Sequence, residues 1–273
     1  MDKIDRLGWA DGMSFNSYGV RLGVRVNDSA LLEDLAARLP PGSKPATFAV
    51  VDHLYSIIGG SGKSESKVRR LSLGYWNLLR FVRAREFDDV LEAFESHVQL
   101  TVAEHAPHRV FVHAGVVGWK DRAILIPGLS HSGKTTLVDQ LIRAGATYYS
   151  DEYAVLDERG RVHPYPRALG MRFPGSDESK KVRAEEVGAK VGSKPLRVGL
   201  VVSTNYKSGA RWRPRQITRG TGVLELMSNT VSARSQPKLA LTVLPAALES
   251  ARILKGVRGE ASQIVDSILA NVT

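Results

Sequence analysis

A glycine-rich segment near the middle of the chain has the residue types and spacing of a phosphate-binding loop. The segment GLSHSGKT runs from Gly128 to Thr135 and fits the pattern G-x-x-x-x-G-K-S/T. Glycines let backbone amides point at phosphate oxygens, and the start of the following helix adds partial positive charge. Lys134 can then bridge the outer phosphates while the Thr135 hydroxyl binds magnesium. The segment therefore predicts a site for a nucleotide together with Mg²⁺.

A second glycine-rich segment, GGSGKSES at residues 59–66, has only the end of this pattern. Ile57 occupies the position of the first glycine, and the residues that follow have the composition of a strand rather than of a helix. Glycine and serine are residues that tight turns use. We therefore predict a turn at 59–66 and assign phosphate binding to the later segment.

The elements that must position the loop can also be recognised in the sequence. An apolar run at 122–127, RAILIP, precedes the loop and predicts a buried strand. After Lys134, apolar residues recur on one helical face until Gly145 ends the helix; they are Leu137, Val138, Leu141 and Ile142. Strand, loop and helix thus follow in the order that phosphate binding requires.

Two acidic residues, Asp151 and Glu152, follow the next predicted strand at 146–150. A carboxylate near the terminal phosphate can hold magnesium, or it can orient and deprotonate an incoming hydroxyl group. The two residues could divide these tasks. The alternative is an acidic pair that is solvated in a turn, which would be the better interpretation without the phosphate loop upstream.

Histidines near these residues allow two interpretations. His113 lies in the alternating strand RVFVHAGVV at 109–117, where a half-buried core histidine is more common than a catalytic one. His131 lies inside the loop, and we expect its side chain to face solvent because the loop binds phosphate through backbone amides.

Composition limits the classes of protein that remain. The chain has 273 residues, a formal net charge of +10 and no cysteine, which excludes disulfides and cysteine-based metal sites. Because no apolar run is long enough to cross a bilayer and no secretory signal is visible, we predict a cytoplasmic protein without a membrane partner. The positive charge favours an anionic partner, but no nucleic-acid-binding motif accompanies it, so a nucleic-acid partner is not expected.

Periodicity divides the chain into two regions. Residues 1–105 read as a small α+β region with an antiparallel layer of strands and an amphipathic helix at 86–105. Residues 106–273 contain the phosphate loop, a buried strand at 196–206 and, by prediction, two closing helices at 245–255 and 259–270.

From His113 to Glu152 the sequence resembles the catalytic core of the HPr kinase/phosphorylase family. The resemblance consists of a histidine on a small apolar strand, an apolar strand entering the loop, a helix ending LIRAG, and then the acidic pair. It implies an α/β fold with the mixed sheet core shared by HPr kinase and phosphoenolpyruvate carboxykinase. It also implies a domain at 106–273 that transfers the terminal phosphoryl group of ATP to a serine or other alcohol hydroxyl.

The resemblance also implies roles for single residues. Asp151 matches the catalytic acid/base, His113 the histidine that supports it, and Glu152 and Thr135 the metal side of the site. Lys134 is placed on the phosphates and takes part in catalysis. The residues implied to bind ATP are Gly128, Ser130, Ser132, Gly133, Lys134, Thr135 and Thr136.

Departures from the family pattern bear on the acceptor. An Asp-Glu pair replaces two aspartates, and the later LEIRG and Arg/Asn-rich signatures are absent. The chain is more similar to the divergent group that includes lasso-peptide precursor kinases, which implies a peptide, protein or small-molecule acceptor. In that interpretation residues 1–105 recognise the acceptor, and a second copy of the chain is left open as a partner. Arg167 or Arg172 could steady the transferred phosphate.

Two other functions remain open from the sequence. One is a regulatory protein that binds a nucleotide without transferring phosphate. The other is an ATPase that acts with nucleic acid and uses the basic surface. The first would tolerate loss of the Asp151 carboxylate, and the second would show activity that polynucleotide stimulates and salt suppresses.

Overall fold

A computed structural model describes residues 3–60, 71–128, 132–172 and 179–272 of the chain. Contacts divide the chain into two units, Met1–Pro107 and His108–Thr273. No helix within the described ranges combines the length and the apolar character needed to span a membrane.

Among its described residues, the first unit contains a six-stranded sheet and two α-helices. Its elements are β1 (Asp11–Ser17), β2 (Val20–Val26), α1 (Leu31–Ala36), β3 (Lys44–Pro45), β4 (His53–Ile58), β5 (Ser72–Trp76), β6 (Leu79–Ala84) and α2 (Phe87–His105). The strand order is β3-β1-β2-β4-β5-β6. Helix α2 lies against the sheet because its apolar residues recur at helical spacing; the buried ones include Val90, Leu91, Phe94, Val98 and Val102.

The prediction of a purely antiparallel layer was wrong for this sheet. Strands β2 and β4 pair in parallel, with Val24 opposite Tyr55, whereas the other neighbours are antiparallel. The chain leaves β2 through α1 and returns along the same direction, and such a crossover is what a parallel pair needs. Helix α2, by contrast, agrees closely with the helix predicted at 86–105.

The second unit is a mixed α/β structure built on an eight-stranded sheet. Its elements are β7 (Val110–Trp119), β8 (Arg122–Pro127), α3 (Lys134–Arg143), β9 (Thr147–Ser150), β10 (Tyr153–Leu156), β11 (Arg161–His163), β12 (Leu169–Arg172), β13 (Ser179–Val182), β14 (Leu196–Tyr206), β15 (Arg215–Gln216), α4 (Arg219–Met227), α5 (Pro237–Ala247), β16 (Arg252–Arg258) and α6 (Val265–Ala270). Strands β12 and β13 form a separate hairpin.

Three parallel strands form the part of the large sheet that leads into the glycine-rich segment. The order β11-β10-β7-β8-β14-β16-β15 places β14 between β8 and β16, and both pairings are parallel. Strand β7 is antiparallel to β8, so that Ala114 lies opposite Pro127. The carboxyl ends of β8, β14 and β16 therefore meet at one edge of the sheet, where ligands of open α/β sheets commonly bind.

Apolar layers cover both faces of this sheet. Buried residues of α3 and α6 pack on one face, and buried residues of α4 and α5 pack on the other. Alternation along the strands supplies both layers: Leu200 and Val202 join the first, and Val201 joins the second. Strands β8 and β14 are thus buried on both faces over most of their length, which explains their apolar runs.

The prediction of a helix at 245–255 was wrong beyond its first three residues, and the helix begins earlier than predicted, at Pro237. Helix α5 ends at Ala247, and residues from Arg252 onward form β16, which pairs with β14 over seven positions. Ile253 and Leu254 enter opposite apolar layers, which two consecutive residues of a strand can do. The last predicted helix, at 259–270, is shorter than expected and forms α6 at Val265–Ala270.

Candidate functional site

The glycine-rich segment connects β8 to α3 at the carboxyl edge of the parallel strands. Strand β8 ends at Pro127 and helix α3 begins at Lys134. Gly128, Ser132, Gly133, Lys134, Thr135 and Thr136 lie within the described residues, whereas Ser130 and His131 lie outside them. The predicted strand and helix therefore flank the glycine-rich segment in the expected order.

Gly133 adopts a backbone conformation that explains why glycine is needed there. Its φ angle of 80° is left-handed, a region that residues with a Cβ atom rarely adopt. Its carbonyl accepts a bond from the Leu137 amide at 3.2 Å, which starts the helix, and a second bond from Arg258 Nη2 at 2.9 Å. The last glycine of the pattern is thus held from two sides.

Lys134 lies half-buried at the first turn of α3. Burial lowers the pKa of its ammonium group, and the nearby charges of Glu152 and Asp151 act in the opposite direction. The Lys134 ammonium group therefore lies near two carboxylates, and it could also attract phosphate oxygens. Thr136, two residues along, is exposed.

Asp151 is a buried carboxylate at the start of the turn between β9 and β10. Burial raises its pKa, while a hydrogen bond from Tyr148 and the charge of Arg167 lower it. Its Oδ2 atom accepts a long hydrogen bond of 3.4 Å from Thr135 Oγ1. The predicted acid thus lies beside the predicted metal-binding hydroxyl, although 16 residues separate the two in sequence.

The Tyr148 hydroxyl lies within hydrogen-bond distance of two acceptors. It is 3.0 Å from Asp151 Oδ1 and 2.9 Å from the Arg167 carbonyl oxygen. One hydroxyl proton cannot serve both acceptors at the same time. Donation to the Asp151 carboxylate is the arrangement that lowers the pKa of that group, and donation to the Arg167 carbonyl gives up this effect.

His113 lies between the loop and Glu152. Its backbone carbonyl accepts from the Gly128 amide at 3.1 Å, and the Ala114 amide donates to the Glu152 carbonyl at 3.1 Å. The His113 Nδ1 atom is 3.7 Å from Glu152 Oε1, which is too long for a direct hydrogen bond. Burial and the charge of Lys134 lower the pKa of His113, so the imidazole is neutral near pH 7.

The donor set fits a magnesium ion that a nucleotide brings with it. Within the described residues, no group of three or more His, Cys, Asp or Glu side chains could hold a metal ion by itself. Magnesium is usually bound by one or two carboxylates, a hydroxyl group and phosphate oxygens, and it keeps several waters. Thr135 and the acidic pair supply the first two kinds of ligand, and a nucleotide would supply the third.

Sequence reasoning missed two residues of this site. Tyr148 has a weak signal, since it stands three residues before Asp151 on a short strand. Arg258 has no local signal, because it is 125 residues away from the loop residue that it contacts. Of the two arginines proposed for the phosphate, Arg167 acts electrostatically on Asp151, and the Arg172 side chain lies outside the described part.

Comparisons with known proteins give limited information on this site. No protein-family model and no curated protein matches the chain. Among solved structures, the HPr(Ser) kinase/phosphatase from Coxiella burnetii is similar at 13% identity with a TM-score of 0.34. The match covers 59% of this chain and 94% of that one. A similarity this weak supports no conclusion about function, so the function is argued from the geometry of the site.

Proposed function

We propose that the protein is an ATP-dependent kinase that transfers the γ-phosphoryl group to a hydroxyl group of a peptide, protein or small molecule. The observation that carries the proposal is the position of Asp151. This buried carboxylate lies 3.4 Å from the hydroxyl of Thr135, in the first turn of the helix that follows the loop. Phosphoryl transfer needs a base, a cation and a metal-binding hydroxyl in one place.

Asp151 would act as the base. Its carboxylate would take the proton of the acceptor hydroxyl as the acceptor oxygen bonds to the γ-phosphorus and the bond from phosphorus to ADP breaks. Burial raises the pKa of this carboxyl group, which makes the carboxylate a stronger base than an aspartate in water. Asparagine keeps the shape and cannot accept the proton.

Lys134 and the loop amides would hold the phosphates and offset their charge. Thr135 and Glu152 would hold Mg²⁺, which supplies charge neutralisation and orients the phosphates. The resemblance implies that His113 supports Asp151, but its Nδ1 atom faces Glu152 Oε1 at 3.7 Å instead, so the neutral imidazole would act on Glu152. These roles need no proton transfer from His113.

The acceptor is a hydroxyl compound, and a serine in a peptide or protein is the class that we propose. Residues 1–105 would recognise the acceptor. The mixed sheet and two helices of the first unit contain none of the loop, acid or lysine residues of the site, so recognition is a role that this unit could take without affecting the chemistry.

The test is transfer of label from γ-labelled ATP with Mg²⁺ to serine-containing peptides, small alcohols and the protein itself. Lys134→Ala and Asp151→Asn should each reduce transfer by about 10²–10⁴-fold. Matched controls are Lys238→Ala and Asp139→Asn, which make the same changes at an exposed lysine on α5 and at an aspartate paired with Arg143 on α3. Both controls should retain full transfer.

Two outcomes would overturn the proposal, and a third would overturn the role of Asp151. Tight ATP binding without transfer to any acceptor would indicate a regulatory nucleotide-binding protein. ATP hydrolysis that polynucleotide stimulates and salt suppresses would indicate a nucleic-acid-associated ATPase. Full activity of Asp151→Asn would show that another group accepts the proton.

A further inference from the structure

Arg258, at the end of β16, is a buried arginine that contacts the phosphate loop. It is 2% exposed, and its Nη2 atom donates to the Gly133 carbonyl at 2.9 Å. Its Nη1 atom donates to the Gly259 carbonyl at 3.0 Å. A methyl group added at Gly133 would lie 2.5 Å from Nη2, which shows how closely the guanidinium approaches the loop. The contact therefore fixes the residue at which the loop becomes a helix.

The charge of Arg258 has no direct carboxylate partner within the described part of the chain. Its hydrogen bonds go to two neutral carbonyl groups, and its guanidinium lies 5.5 Å from the ring centroid of Tyr206. The charge of Glu260 raises the pKa of Arg258, and the Glu260 carboxylate accepts a bond from the Tyr206 hydroxyl. Burial lowers the pKa of the guanidinium more strongly. Buried charges in proteins are normally paired, so this cation lacks an anion.

Two polar atoms on the same face of the sheet also lack partners among the described residues. They are Arg258 Nε and Thr204 Oγ1, both buried. Thr204 pairs in register with Gly256, and side chains at 204 and 258 lie on the face of Val202 and Leu254, which packs against α3. Unpaired donors thus lie in the layer that supports the phosphate loop.

We propose that Arg258 is a positioning residue for nucleotide binding whose missing counter-charge is the phosphate chain of a nucleoside di- or triphosphate. The guanidinium holds the Gly133 carbonyl and places a fixed positive charge behind the loop, and Thr204 adds a neutral donor on the same face. This inference rests on the proposed function for the nucleotide itself. It predicts that Arg258 destabilises the free protein and stabilises the complex.

The test uses two substitutions that separate charge from hydrogen bonding. Arg258→Gln keeps a donor for the Gly133 carbonyl and removes the charge, whereas Arg258→Lys keeps the charge and removes the planar fork. Calorimetric titration with adenosine, AMP and ADP, the last two with Mg²⁺, measures how the effect depends on phosphate charge. For Arg258→Gln we expect affinity for ADP to fall about 10- to 100-fold, with a smaller loss for AMP and none for adenosine. Arg258→Lys should recover part of the loss.

The unfolding temperature measured without nucleotide separates a nucleotide-positioning role of Arg258 from a purely structural one. Arg258→Gln should unfold at the temperature of the wild type or higher, because it removes an uncompensated buried charge. Thr204→Val provides an independent variant, since it removes a buried hydroxyl without a partner at nearly constant volume. It too should unfold no earlier than the wild type and should bind ADP several-fold more weakly.

The control is Arg213→Gln, which removes one positive charge from an exposed residue of the same unit. An equal loss of ADP affinity in this control would overturn the inference in favour of net charge. A lower unfolding temperature of Arg258→Gln, with equal losses for adenosine and ADP and no recovery by lysine, would show a structural role only. Unchanged ADP affinity in both Arg258→Gln and Thr204→Val would overturn the inference while leaving the proposed kinase intact. Failure of the wild type to bind ADP would refute the nucleotide site itself.

Discussion

Gly115, in the middle of β7, sets the distance between that strand and α3. A methyl group added at this position would lie 2.6 Å from Val138 Cγ2, with Lys134 Cβ at 3.8 Å and Ile126 Cβ at 3.9 Å. Val138 is fully buried, so its side chain cannot swing into solvent. We therefore predict that Gly115→Ala pushes α3 away from the sheet and shifts the residue that begins this helix, Lys134.

The loss of stability can be estimated from how closely the added methyl group would approach Val138. Ordinary van der Waals contact begins at 3.4 Å, so the methyl group and Val138 would have to separate by about 0.8 Å. Overpacking of this kind typically costs about 1–3 kcal/mol, and we expect about 2 kcal/mol here. For a unit of this size that corresponds to a fall in Tm of about 4–8 °C.

A double-mutant cycle tests the stated cause. Val138→Ala alone should cost about 2 kcal/mol, because it removes two buried methyl groups. In the double variant the new methyl group occupies space that Val138 has left, so the total should be smaller than the sum by about 1–2 kcal/mol. Urea unfolding of the four proteins measures the coupling. Costs that simply add, or a Gly115→Ala variant as stable as the wild type, would refute this account of the spacing.

Three further predictions concern the site and its surroundings. Tyr148→Phe removes a hydrogen bond that lowers the pKa of Asp151, so the acid limb of the kcat/KM profile should move to higher pH; an unmoved limb would contradict this. Burial raises the pKa of Asp157, but hydrogen bonds from His163 and Arg161 lower it to about 2. Its stabilising effect is therefore complete above about pH 5 and is lost as the pH falls through 2, and Asp157→Asn should cost about 1–2 kcal/mol in urea unfolding at pH 7 and much less near pH 2. Gly133→Ala combines a left-handed φ with a 2.5 Å approach to Arg258, so calorimetry should show at least tenfold weaker ADP binding, and unchanged affinity would contradict the described loop geometry.

Local sequence was sufficient for the parts of the site that are continuous in the chain. Strand β8 and helix α3 are where the sequence predicts them, because an apolar run, a fixed loop pattern and a helical period lie within about 25 residues. The approach of Asp151 to Thr135 could also be expected, since β9 returns directly along the sheet after α3. These contacts depend on short connections that the sequence itself displays.

The sequence was insufficient where a residue's environment is set by distant segments. The run from Arg252 to Arg258 is short and carries a basic residue at every third position, so no alternation of apolar and polar residues marks it as a strand. Pairing with β14 makes this segment a strand, and nothing in the sequence of β16 itself predicts that pairing. The parallel pair of β2 and β4 is similar, because it depends on where the chain returns after α1.

The hydrogen bond from Arg258 to Gly133 also has a consequence for biosynthesis. It joins residues 125 positions apart, and β16 enters the sheet beside β14 only after that length of chain has been made. At about 5–20 residues per second, roughly 6–25 s separate translation of the two residues. During that interval a nascent chain contains the whole glycine-rich segment but not the arginine that holds it. If the proposed nucleotide site is correct, a bound nucleotide would therefore stabilise chains that extend through residue 258 more than shorter ones.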